Sequence, residues 1–315
     1  MNRTSVTTGL LIGVLASVAF GTSGALAKPL MEAGWSPAAA VTARAGLAGI
    51  LLLPFAARAL RGKWDTVWRA RWRILGMALI GVAGTQLVYF ASLQRIPVSS
   101  ALLIEYLAPL LLVAWVAVAT RRLPGAIVIV GAAIAVGGLL LIIGPVGGGD
   151  PLGYLFAAAA AVGCALYYVI AARPARGLPP VALASFGLLI GALSLGLVGA
   201  TGLVPFDVVL TEVSAAGMRL PWWAPLLLLA ATTAVGYATS IAASQVLGSR
   251  LMSFVGMLEV VFASVFAWIV LGEALGPWQI LGGVLILAGI ACVRAEKAAT
   301  EPDPEPVREP VTSGV

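Results

Sequence analysis

The chain contains no histidine, and only 10% of its 315 residues are charged. The first absence removes the commonest metal ligand and the side chain that titrates most readily near neutrality. Metal clusters and most acid–base enzyme chemistry lose their usual carrier, so no metal, no cofactor and no enzymatic activity are expected. The second absence excludes a water-soluble globular domain, which carries about 25% charged residues. Cysteine is scarce too. Cys164 and Cys292 both fall in apolar runs, so no disulfide framework is indicated. The chain has no glycine-rich phosphate loop either, which argues against ATP as an energy source.

What is present is hydrocarbon. Hydrophobic residues make up 61% of the chain, and its mean hydropathy is +1.04. Apolar runs recur along it, each long enough to cross a hydrocarbon core of roughly 30 Å. Ten are expected, at about 8–27, 37–56, 74–94, 98–119, 125–143, 152–172, 181–203, 222–245, 251–271 and 277–293. The connections are short, except for 204–221, which reads as an exposed loop. The fold class is therefore an all-α membrane protein.

The formal charge of +6 suggests nucleic acid, but its placement points elsewhere. With ten spans and the N-terminus inside, 15 Lys and Arg fall on the inner side and three outside, the latter being Lys28, Arg95 and Arg219. This is the positive-inside pattern of a multi-pass inner-membrane protein with both termini cytoplasmic. The loop from Arg58 to Arg73 carries most of it and reads as an anchor on anionic head groups. Arg3, the stretch Leu10–Phe20 and Ala25-Leu26-Ala27 imitate a signal peptide. The run is too long, however, and removing it would leave nine spans. From Arg294 on, Pro and Glu dominate, and residues 294–315 are expected to form a disordered cytoplasmic tail.

The chain also repeats itself. A shift of 151 residues matches Trp72 to Trp223, Ala83 to Ala234, Ala91 to Ala242, Gln94 to Gln245, Leu107 to Leu258, Gly125 to Gly276, Gly131 to Gly282 and Gly138 to Gly289. Two units follow, 1–146 and 151–293, each with five expected spans. Five is odd, so the second unit enters the membrane upside down. Ten transmembrane helices in two inverted-topology repeats are an architecture in which one midplane site opens alternately to either side. Glycines at GxxxG spacing, Gly9–Gly13 and Gly187–Gly191, indicate close helix packing, with a homodimer face as the alternative.

Three charges interrupt the apolar runs: Arg44, Glu105 and Glu259. Each costs roughly 2.5–3.5 kcal/mol at the centre of a spanning helix, so pairing or a wet cavity must offset it. From a rise of about 1.5 Å per residue, Arg44 and Glu105 both lie roughly 10–12 Å below the outer edge, which makes an ion pair the natural expectation. Glu259 lies roughly 13 Å from the inner edge, with no cation expected beside it. A dry site favours a protonated carboxyl, which suits a proton carrier. Each of these could instead only lock helices together. Nearby helices carry Thr85, Gln86, Tyr89, Tyr167, Tyr168, Thr232, Thr233, Tyr237 and Ser240, whose concentration suggests a polar cavity. Thr22 and Ser23 sit between two glycines, either bonded back to their helix or lining that cavity. Trp115 and Trp268 read as packing or interface residues.

The segment LIEYLAPLLL (Leu103–Leu112), following LQRIP (Leu93–Pro97), resembles helix 4 of EamA-type transporters in the drug/metabolite transporter superfamily. The pattern is nearest to the threonine/homoserine exporter-like branch, similar to "ERIP…ALEFLGPL". The stretch from Thr232 to Glu273 resembles that branch's "SSALPY…LMSLEP…LGE". Gly236 and Val260 stand where the pattern has proline, which puts a bend in helix 9 in question. Glu273 reads as an edge or loop residue. The resemblance implies ten helices, inverted repeats, alternating access and export of amino acids or similar metabolites, with Glu105 and Glu259 on the motif's acidic positions. Proton antiport is the expected mode, with an uncoupled facilitator and a transport-free receptor or scaffold as alternatives. The implied partners are a small-molecule solute, protons and membrane lipid, with no nucleic acid.

Overall fold

The computed structural model describes residues 3–96, 98–121, 123–144, 150–174, 177–215, 218–271 and 276–300. Nearly all of it is helix. In chain order the main helices are α1 (Arg3–Glu32), α2 (Pro37–Ala59), α3 (Arg71–Leu93), α4 (Val98–Glu105 and Ala108–Thr120) and α5 (Ala126–Ile143). They continue as α6 (Pro151–Ala172), α7 (Pro180–Ala200), α8 (Trp223–Leu247), α9 (Ser249–Gly256 and Leu258–Leu271) and α10 (Pro277–Thr300). Among the described residues, nine helices are long and apolar enough to cross a membrane, while the apolar stretch of α5, Ala126–Ile142, is shorter. The helix α10 continues to Thr300, so Arg294 does not end it. Glu273 and the remainder of the tail lie outside the described residues.

Helix starts are set locally. Ser36 caps α2, with its hydroxyl accepting from the Ala39 amide, and Asp150 caps α6 by accepting from Leu152. Proline then occupies the first turn of both helices, where its missing N–H costs nothing. Asp150 also pairs with Arg95 at 2.8 Å, joining two loops at one end of the bundle. The Leu152 amide and then Arg95 hold its carboxyl below the usual range. That tie is therefore present above the ordinary carboxylate pKa and lost as pH falls through the lowered one.

The packing is symmetric under exchange of each helix with the one five places on. The α1–α8 contact answers α6–α3, α1–α9 answers α6–α4, and α2–α8 answers α7–α3, while α2–α7 and α5–α10 answer themselves. The self-paired helices run antiparallel. Along α2 and α7, Thr42 faces Gly196, Gly46 faces Ala192 and Gly49 faces Leu189. Along α5 and α10, Gly131 faces Gly289 and Gly138 faces Gly282, so backbones meet without side chains between them. A Cβ at Gly131 would fall 2.9 Å from the Gly289 carbonyl oxygen, too near for any larger residue. The other small-residue pairs are used within the chain as well. Gly9 and Gly13 pack on α8 and α9, and Gly187 and Gly191 on α3, so these stripes are not free homodimer faces.

The loops gather at two ends. At one, Arg73 donates to the carbonyls of Ile170, Ala171 and Pro174, and a short helix, Asp65–Arg69, is held by an Arg69–Asp65 ion pair. Trp64, Trp68 and Trp72 are exposed there, with Arg71 over the rings of Trp68 and Trp72, as at a membrane interface. At the other end, the segment expected to be an exposed loop forms a hairpin, β1 (Val213–Ala215) with β2 (Met218–Leu220). It is docked rather than free. Val213 is buried against Leu30 and Trp35, the Trp35 indole donates to the Val209 carbonyl, and Ser36 and Asp207 bond through their backbones. Its apolar residues, Phe206, Val209 and Val213, explain the difference: their burial outweighs the polar character that suggested a loop.

Candidate functional site

Two broken helices and one widened one build the site. The first pieces of α4 and α9, Val98–Glu105 and Ser249–Gly256, coincide under the 151-residue shift. In α4 the break precedes Pro109, which lacks an N–H and disfavours helix in the residue before it. In α9 no proline is needed. The chain breaks at Met257, beside Gly256, whose missing Cβ leaves room for the Tyr168 hydroxyl. Glu105 ends the first piece of α4, and Glu259 lies in the first turn of the second piece of α9. Within α3, Met77–Gly84 is wound as a π-helix, and the Thr85 hydroxyl donates 2.7 Å back to Ile80 five residues earlier. Such widened turns re-aim the residues that follow, here Gln86 and Tyr89.

These elements enclose a cavity of about 630 Å³. Arg44 from α2, Gln86 and Tyr89 from α3, Glu105 from α4, Tyr167 and Tyr168 from α6, Thr233 and Tyr237 from α8 and Glu259 from α9 all line it. Ser23 of α1 lines it too, its hydroxyl without a partner among the described residues. Thr22 does not line it. Its hydroxyl donates 2.7 Å to the Ala19 carbonyl, the helix back-bond of a threonine facing away from the polar side. Thr232 is likewise bonded back, to Leu229. Trp115 and Trp268 point outward and are exposed.

The three charges share this one space and act on one another across it, with Arg44 opposing both carboxylates. No ion pair within 4.0 Å joins Arg44 to Glu105 among the described residues, so the expected direct pair is replaced by a looser triad around an open volume. Arg44 and Glu105 reach the cavity from different helices, α2 and α4. Glu259 instead lies against the Tyr106 hydroxyl, within hydrogen-bonding reach. The sequence reading does not single out Tyr106; its position beside Glu105, just before a proline, is the signal that could have found it.

Aromatic rings line much of the remaining wall. Phe20 meets Tyr237 edge-on at 5.2 Å between centroids, Tyr237 meets Tyr167 at 5.8 Å, and Tyr167 meets Tyr168 at 5.2 Å. The result is a pocket with one guanidinium, two carboxyls and a chain of ring faces and edges. It can hold a carboxylate near Arg44 and an ammonium near Glu105 or Glu259, with ring faces adding attraction for a cation.

Fold and site together define a multi-pass helical membrane protein with a polar cavity enclosed by its helices. The family model of the EamA-like transporter family matches twice, at residues 7–144 and 151–295. The chain belongs to the EamA-like transporter family, whose members are membrane transporters rather than enzymes. A solved protein crystal structure is similar in fold, with a TM-score of 0.73 at 23% sequence identity, covering 92% of this chain and 98% of the other. No curated protein matches the chain.

Proposed function

We propose that the protein is a secondary transporter that exports amino acids or closely related metabolites across the inner membrane, by alternating access and proton antiport. The observation that carries this reading is the cavity, which sets Arg44, Glu105 and Glu259 around one volume inside an apolar bundle. Its size falls in the roughly 300–1,000 Å³ range of small-molecule sites. A zwitterion offers a carboxylate to Arg44 and an ammonium to the glutamates, so its two charges replace interactions that water otherwise supplies. A proton on one glutamate and an ammonium beside it compete for the same negative charge, which is the basis of exchange.

Ten crossings in two inverted five-helix units fit the exchange-symmetric packing and the antiparallel α2–α7 and α5–α10 pairs. The Arg-rich end with its exposed tryptophans supports a cytoplasmic placement of that end and of both termini. The membrane potential suffices as an energy source: one charge crossing 100 mV gains about 2.3 kcal/mol, a gradient of roughly fiftyfold.

The test is release from living cells. Cells producing the protein and cells lacking it are loaded with amino acids, and the medium is quantified over time. At least one amino acid is expected to leave several-fold faster when the protein is present. Equal release of all of them would remove amino acids as the substrate class.

A further inference from the structure

The cavity lining reaches different extents along the two equivalent helices α3 and α8. On α3 its lining runs from Gly81 through Gln86 and Tyr89 to Leu93, at the helix end nearest the hairpin. On α8 the lining begins at Leu229 and stops at Tyr237. The next turns of that α8 face, three and seven residues on, carry Ser240 and Ser244, followed by Gln245. Ser240 is 1% exposed and Ser244 is 0% exposed. Neither hydroxyl has a hydrogen-bond partner among the described residues, nor does the Gln245 amide nitrogen. The Tyr167 hydroxyl lies within hydrogen-bonding reach of Ser240, so these two have at best each other. Four polar groups are thus buried along this face short of hydrogen-bond partners, Ser244 and the Gln245 amide nitrogen with none among the described residues, which folded proteins avoid because each loses its water.

The repeat accounts for their position. Subtracting the 151-residue shift takes Ser240 to Tyr89, Ser244 to Leu93 and Gln245 to Gln94. Tyr89 and Leu93 line the cavity, and Gln94, which follows them, is exposed. The face of α8 that is sealed is therefore the counterpart of the face of α3 that is open. What seals it is apolar: α1, α6 and the first piece of α9 pack over α8 there, with Leu251, Met252 and Phe254 fully buried.

We propose that Tyr167, Ser240, Ser244 and Gln245 line a second half of the solute route, closed in this structure, leading from the cavity to the end that carries the loop 58–73. This rests on the transport reading and adds to it a particular wall for the route. The unsatisfied hydroxyls and amide are dry only while that half is shut. When α1 and α9 move away from α8, water and solute reach them, as they now reach Tyr89 and Leu93 on the opposite side. Ser240 and Ser244 thereby favour opening, because the open form supplies the partners that the closed form withholds.

The experiment uses the full chain in sealed membrane vesicles of both orientations, with one cysteine added at a time and a membrane-impermeant maleimide on one face. Labelled peptides are identified by mass, which separates each site from Cys164 and Cys292. Lys63→Cys marks one end of the molecule and Thr211→Cys the other. Ser244→Cys is expected to react at least tenfold faster from the face where Lys63→Cys reacts, and Leu93→Cys from the face where Thr211→Cys reacts. Should Ser244→Cys fail to accumulate, Gln245→Cys serves with the same expectation. Efflux of an amino-acid mixture from the same vesicles is measured in parallel. Efflux with Ser244→Cys and Gln245→Cys silent from both faces, or reactive only from the Thr211 face, overturns the proposed route and leaves transport standing. Reaction from the Lys63 face without efflux upholds the route and removes amino acids as its cargo. Silence at both sites together with no efflux overturns both.

Discussion

Replacing Arg44 by alanine is expected to lower solute flux roughly five- to a hundredfold, the equivalent of about 1–3 kcal/mol of lost interaction. Arg44 is the one Lys or Arg among the residues lining the cavity, and it faces two carboxyls there. Without it, a substrate carboxylate loses its counter-charge and the two glutamates are left to oppose each other alone. Arg44→Lys keeps the charge but not the planar fork, so intermediate flux is expected. Glu105→Ala should also impair flux. Because no ion pair within 4.0 Å joins Arg44 to Glu105 among the described residues, the double change should show a coupling at the lower end of the roughly 0.5–3 kcal/mol range. Flux at matched protein yield checks each variant, and unchanged flux in Arg44→Ala would take the guanidinium out of the site.

Much of the architecture is legible in the sequence. Spans can be read because an apolar run of bilayer length is hard to bury in any solvent but lipid. The 151-residue repeat foretells the Gly131–Gly289 and Gly138–Gly282 contacts by symmetry. Eleven of the charged and polar residues singled out in the spans line one cavity. Hydropathy does not reveal the rest, because it reports depth and not direction. Arg44 and Glu105 share one level, yet depth says nothing of the azimuth at which each helix presents its side chain. Thr22 and Ser23 are adjacent in sequence and diverge by about 100° around the helix, so one lines the cavity and the other bonds back. The α9 break at Met257 is hidden because Val260 replaces the proline that would have announced it, and a glycine performs the task instead. The hairpin at 213–220 is hidden by its brevity.

The second large effect is expected at Glu259. It stands in the first turn after the α9 break, faces the cavity and lies against the Tyr106 hydroxyl. In the proposed antiport, this carboxyl takes a proton from one side of the membrane, releases it to the other and gives up its charge to a bound ammonium in between. Glu259→Gln keeps the size and the hydrogen bond and removes the proton. Gradient-driven accumulation should be abolished, while downhill exchange of solute continues at a reduced rate. Tyr106→Phe removes only the hydroxyl and should retain gradient-driven movement, since Glu259 can still titrate.

Proteoliposomes decide the matter most directly. Purified wild-type protein and Glu259→Gln are reconstituted with a labelled amino-acid mixture outside, and a pH gradient, acid inside, is imposed. Wild type is expected to accumulate at least one amino acid above its external concentration, with collapse on addition of a protonophore, while Glu259→Gln only equilibrates it. Equal accumulation by both would remove Glu259 from the coupling, and robust equilibration without any response to the gradient would contradict proton antiport itself.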